Sequence, residues 1–163
     1  MALFGSFRDI GTFKVFTKEL VEDIISQEVG YYKIMLSDTP VNVYGEGKNK
    51  YFIGPVLIPC LIERGEFQKE NTDFGLDTRR DIQFRFFKDH LEEANVVPEV
   101  GDFVMYNEAY YEIDNVNENQ YILGKDPNYI YSSALNGFGE TYSIILTGHY
   151  SSPDKLGITQ ERL

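Results

Sequence analysis

The hydrophobic pattern changes period at Gly30. Before it, Thr17 offers a hydroxyl cap, Glu19 and Glu22 sit in the first turns, and Leu20, Val21, Ile24, Ile25 and Val29 recur at three- and four-residue spacing. That spacing predicts a helix over residues 17–30. Upstream, Phe4, Phe7, Phe13 and Phe16 alternate with polar positions around Gly5 and Gly11, with no partner strand close in sequence, so residues 1–16 read as an N-terminal arm.

After Gly30 the runs are strand-like: Tyr31 to Leu36, Val41 to Tyr44 and Val56 to Ile62, punctuated by Pro40, Gly45, Gly47, Gly54 and Pro55. Ile82, Phe84 and Phe86 alternate with Asp81, Gln83 and Arg85, the pattern of a half-buried strand. Phe87 to Asn95 predicts a helical turn, and Phe103 to Tyr106 with Tyr110 to Val116 a hairpin around Asn107-Glu108-Ala109. A further arm starts at Tyr121, and Thr141 to Thr147 is the last strong strand before a polar tail at 151–163. Two polar, glycine-bearing stretches, 63–78 and 125–140, read as long exposed loops, of the kind that is usually functional. Many short strands with one helix predict a mainly β fold, a small β-barrel or sandwich with one N-terminal helix and long loops, in a single domain over residues 17–150.

Composition narrows the function classes. At 163 residues and 42% hydrophobic, the chain buries enough surface to fold, which excludes wholesale disorder. A net charge of −11 argues against a broad grip on nucleic-acid phosphates. One cysteine, Cys60, forms no intramolecular disulfide, which fits a reducing compartment. The opening Met1-Ala2-Leu3-Phe4-Gly5 lacks the basic start and apolar run of a signal peptide, and no stretch nears ~18 apolar residues, so the expectation is a soluble protein with no membrane partner.

Candidate chemistry is sparse. His90 and His149 belong to no nucleophile or base motif and are expected at the surface. One Cys with two distant His makes no zinc pattern, and Cys60 inside an apolar run reads as a small buried hydrophobe. Gly45-Glu46-Gly47-Lys48 lacks phosphate-loop spacing and reads as a hairpin tip, while Asp114 to Asn119 lacks the glycine and terminal Glu of a calcium loop. No catalytic residue, metal or cofactor is therefore expected. Glu99 with Asp102 is a carboxylate pair of the kind acid–base catalysis uses, though nothing selects it over others. Arg79 and Arg80, flanked by Asp77 and Asp81, read as a rim salt bridge.

The segment Val97-Pro98-Glu99-Val100-Gly101-Asp102-Phe103-Val104-Met105-Tyr106, followed by Tyr111-Glu112-Ile113, Val116 and Tyr121-Ile122-Leu123-Gly124, resembles the neck proteins of contractile-tailed bacteriophages. In that family an aromatic-rich strand, here Ile82 to Phe87, leads into a Pro-x-x-Gly-Asp step, an apolar strand, an aromatic-Glu-Ile strand and an aromatic-x-Leu-Gly continuation. The match covers about residues 80–125, extends loosely to Val41 to Ile62, and is absent from 1–30 and the tail.

The resemblance implies a non-enzymatic virion protein made in the host bacterial cytoplasm. Its place is the phage neck, as a head-closure subunit that forms a ring, a hexamer or similar, and seals the DNA-filled capsid. Its implied partners are copies of itself, a portal or adaptor protein, and a tail terminator or tail tube protein. Genomic DNA would pass the lumen without specific binding, which suits an acidic chain. Candidate partner-binding residues are Phe4, Phe7 and Phe13 in the arm, Phe74, Arg79 and Arg80 at the first loop, and Asn136 and Phe138 in the second, gripping neighbours for instance by strand addition. Competing readings are another tail-axis component (tail terminator or baseplate), a small β-barrel enzyme using the Glu99 and Asp102 pair, and a generic interaction module.

Overall fold

The computed structural model describes residues 7–35, 51–72, 75–121 and 141–152. Helix α1 (Phe7–Glu19) continues into a π-helical turn, Leu20–Ile25, closed by the Ser26 N–H donating to the Val21 carbonyl at 3.0 Å. Strands β1 (Glu28–Ile34), β2 (Phe52–Thr72) and β3 (Gly75–Phe87) follow, then the short helix α2 (Lys88–Glu93) and strands β4 (Phe103–Tyr106), β5 (Ala109–Tyr121) and β6 (Thr141–Ser151). All neighbouring strands pair antiparallel, and the order β1-β2-β3-β6-β5-β4 closes on itself through β4 against β1. The fold is thus a closed six-stranded β-barrel, which removes most sheet edges.

Alternation decides what fills it. Ile82, Phe84 and Phe86 of β3 point inward, as do Ile58 and Cys60 of β2, Val29 and Tyr31 of β1, Val104, Ile113, and Ile144 with Leu146 of β6. Leu91 of α2 joins the same cluster, so the short helix closes the core that β3 leads into. Two glycines let strands approach closely. A Cβ on Gly148 would lie 2.6 Å from the Glu112 carbonyl oxygen across β5 and β6, and one on Gly65 would lie 2.7 Å from that of Asp81. Gly65 marks the irregularity between Arg64 and Phe67 where β2 and β3 leave the barrel.

Three expectations are corrected. Helix formation starts at Phe7, ahead of Thr17, and ends at Ile25, so Phe7, Phe13 and Phe16 are helical and β1 already begins at Glu28. The stretch 63–78 is mostly a two-stranded ribbon: β2 and β3 stay paired from Phe67↔Arg80 to Thr72↔Gly75, while the β3–β6 pairing reaches only to Asp81↔His149. The hairpin strand after Asn107 runs to Tyr121 as one strand, and the Tyr121 continuation beyond it lies outside the described residues, as do 36–50 and the 125–140 loop.

Candidate functional site

The Pro98 to Asp102 step locks onto the barrel through the buried Asp102, while Glu99 and Val100 stay exposed. Gly101 adopts φ +94°, a left-handed backbone that glycine favours, and its N–H donates to the Ile113 carbonyl at 2.9 Å. Asp102 follows with its carboxylate fully buried. Oδ2 accepts from the Tyr31 hydroxyl at 2.5 Å, from Lys33 Nζ at 3.1 Å and from the Glu99 N–H at 2.9 Å, and Oδ1 accepts from the Ile34 N–H at 2.9 Å. Lys33 also bridges to Glu99 at 2.8 Å, on the exposed side. One carboxylate therefore fastens β1 to the turn that starts β4. Burial, then the Asp102 carboxylate it donates to, push the Tyr31 phenol far above its ordinary value.

This changes the meaning of the Glu99 and Asp102 pair. Their carboxylates do share Lys33, but Asp102 is closed to solvent and its oxygens are occupied by four donors. The pair as found holds structure; it offers no free carboxylate facing another across a cleft.

His90 corrects a surface expectation. It is 4% exposed beneath α1, stacks edge-on against Phe87 at 5.3 Å, and its Nε2 lies 3.0 Å from Glu22 Oε1 without hydrogen-bond alignment. His149 is half-buried on β6, with Nδ1 2.8 Å from Asp114 Oδ2. Cys60 lies in the core, where burial pushes its thiol up to about 12. Among the described residues no three His, Cys, Asp or Glu side chains gather as a metal-ligand group.

The unusual surface is apolar. None of the described side chains of α1 is buried. With its π-helical turn, the helix meets its own domain through one buried apolar side chain, Val21, and otherwise through charge: Lys14 to Asp89 at 3.1 Å, Lys18 to Glu93 at 2.7 Å, and Glu22 beside His90, with Tyr142 donating to the Phe13 carbonyl at 3.3 Å. Charges reinforce one of these pairs, since the hydrogen bond with Glu93 holds Lys18 above its usual value and Glu93 below. Facing away are Phe13 (57% exposed), Phe16 (62%), Leu20 (45%) and Ile24 (72%), at the three- and four-residue spacing that makes one stripe. On the barrel wall, the outward positions of β2 are Ile53, Pro55, Leu57, Pro59 and Leu61, a row with no polar side chain, of which Ile53, Leu57 and Leu61 are largely exposed.

Of the residues singled out from sequence as partner-binding, Phe13 falls on this stripe and Phe7 opens α1. Arg79 and Arg80 lie on the β3 side of the ribbon, opposite Gln68 and Phe67. Phe4, Phe74, Asn136 and Phe138 lie outside the described residues. Sequence reasoning missed the β2 row, although a signal was present: Val56 to Ile62 is apolar at both parities, and a barrel strand has only one inner face. No protein-family model matches the chain, and the comparison with curated proteins finds no match.

Proposed function

We propose that the protein is a non-enzymatic virion component of the phage neck, a head-closure subunit that assembles as a ring between the portal or adaptor and the tail. The observation that carries this reading is the apolar surface on the outside of a closed barrel. Contiguous exposed apolar patches on a soluble protein mark places that another protein covers, and here both a helix stripe and a strand row are uncovered. The segment that resembles neck proteins also forms the rigid part of the barrel, with Asp102 holding β1, β4 and the turn between 97 and 102 in one unit. A rigid closed barrel with sticky outer faces is what a stacked ring needs: shape is fixed, and association happens at the periphery. The acidic balance of −11 disfavours capture of DNA moving past.

The test is electron microscopy of particles made when the gene is silenced in the phage that encodes it. The reading expects DNA-filled or leaking heads beside complete, unattached tails. Intact neck-bearing heads with missing or malformed tails would overturn it and move the protein to a tail-terminator or baseplate position.

A further inference from the structure

We propose that His90 is a proton latch for the N-terminal helix: protonated, it holds α1 and its π-helical turn on the barrel through Glu22, and on losing its proton it releases the helix. The latch goes beyond the ring reading and does not depend on it.

Little else holds the helix down. Helices in folded proteins draw most of their stability from packing an apolar face, yet this 13-residue helix and its turn bury one apolar side chain, Val21. The remaining grip is on α2, through side chains spaced four apart on the helix: Lys14 to Asp89 at 3.1 Å, Lys18 to Glu93 at 2.7 Å and Glu22 to His90 at 3.0 Å. The two lysine pairs are reached by water, so each is weak and screened by salt. The third contact differs because its histidine is buried.

Both ring nitrogens of His90 are closed to solvent, and neither has an aligned hydrogen-bond partner. Buried polar atoms left in that state cost free energy. On the neutral ring a single hydrogen serves two buried nitrogens, and Glu22 faces only a dipole. On the imidazolium both nitrogens carry hydrogen, and the approach of Nε2 to Glu22 becomes a charge-assisted contact.

The charges at this junction favour the proton. Lys14, Lys18 and Glu22 come from the helix and its turn, and Asp89 and Glu93 from α2, where Lys88 and Glu92 pair with each other. Three carboxylates (Glu22, Asp89, Glu93) thus meet two ammonium groups (Lys14, Lys18), and a proton on His90 evens the balance. Strands β3 and β6 present rings in place of charges: Phe87 stands edge-on to His90 at 5.3 Å, and Tyr142, its phenol raised by burial and then by Asp89, stands edge-on to Phe87 at 5.0 Å. On the core side, Leu91 shares a cluster with Cys60 and Tyr31, both kept protonated by burial.

Histidine is the side chain that changes charge between about pH 5 and 8. Its neighbours do not follow: the hydrogen bond between them holds Lys18 above its usual value and Glu93 below, and carboxylates and ammonium groups as classes titrate outside that window. Docking is therefore complete at the acidic end of the window and is lost as pH rises through it. Release has a pivot. Ser26, directly after the turn, has φ +47°, and the next residue is already tied to the barrel, the Gln27 carbonyl accepting from the Cys60 N–H at 2.9 Å. The helix can move while every strand pairing stays in place.

Hydrogen exchange of the full chain, read by mass spectrometry with labelling times scaled to the intrinsic rate at each pH, tests the latch. Peptides of the helix and its turn are expected to be about tenfold better protected at about pH 5.5 than at about pH 8, the factor that one unit of difference in proton affinity supplies, while barrel peptides change little. In Glu22→Gln, a half-exposed position whose replacement leaves the barrel intact, the pH dependence is expected to vanish. His149→Asn removes the other histidine and is expected to leave it in place. Helix protection that is the same at both pH values, or lower at the acidic one, would overturn the proposal. So would a dependence that survives in Glu22→Gln or disappears in His149→Asn.

Discussion

At the scale of single residues, Asp102 is the side chain on which most depends. It is fully buried, and four donors from β1 and the turn before β4 converge on it. Asp102→Ala strands the Tyr31 hydroxyl and two backbone N–H groups, while Lys33 keeps Glu99 and the Val97 carbonyl, and is expected to cost about 3 kcal/mol. Urea unfolding measures this directly. An unchanged midpoint would mean that the lock is not holding β1 to β4. Tyr31 and Cys60 give the molecule an alkaline limit. Burial keeps both protonated in the fold, Cys60 up to about 12 against an ordinary 9.0 and Tyr31 above its ordinary 10.0. In alkali the unfolded chain releases protons that the folded one retains, so their contribution is complete below about pH 9 and is lost as pH rises through the folded values. Stability should fall above pH 9 by up to about 1.4 kcal/mol per unit for each group. In Cys60→Ala the slope between about pH 9 and 10 should flatten; if it does not, the thiol is not its source.

At the scale of elements, barrel closure depends on close strand approach. Gly148→Ala places a methyl 2.6 Å from the backbone oxygen of Glu112, which no rotamer change relieves. It should destabilise by about 1–3 kcal/mol, read as a lowered unfolding temperature. A neutral result would mean that β5 and β6 are looser there than described. This scale also shows how far sequence patterns reach. The alternation of Ile82, Phe84 and Phe86 predicts β3 correctly, because a barrel strand has one wet and one dry face. The hairpin of Phe103 to Tyr106 with Tyr110 to Val116 is equally legible through its Asn107-Glu108 turn, where both residues take positive φ, but the run of the second strand on to Tyr121 is not. The N-terminal helix is legible only in part: the spacing of Leu20, Val21, Ile24 and Ile25 predicts its end, whereas Phe7 to Phe16, interrupted by Gly11, read as an arm although they are helical. The ribbon from Phe67 to Arg80 is missed for another reason: its strands pair with each other beyond the barrel, where no core imposes a hydrophobic period on a polar sequence. The partners of Asp102 are invisible in sequence because Tyr31, Lys33 and Ile34 lie 68 to 71 positions away. His90 gives no sign of burial, as a lone histidine in a polar helical turn is compatible with either face.

At the scale of the whole molecule, the barrel is self-sufficient and the periphery is not. The core closes around Phe84, Phe86 and Leu91 without help from a neighbour, while α1 and the β2 wall keep apolar side chains in water. The ring proposal implies association that is weak for any two copies and strong once a ring closes. The measurement that bears on this most directly is the mass of the full chain in solution across micromolar to millimolar concentration, by analytical ultracentrifugation. A passage from an 18.8 kDa monomer to one closed oligomer of several copies, with little dimer between, is the predicted result. A single 18.8 kDa species at every concentration, or a stable dimer that grows no further, would contradict ring assembly through these faces.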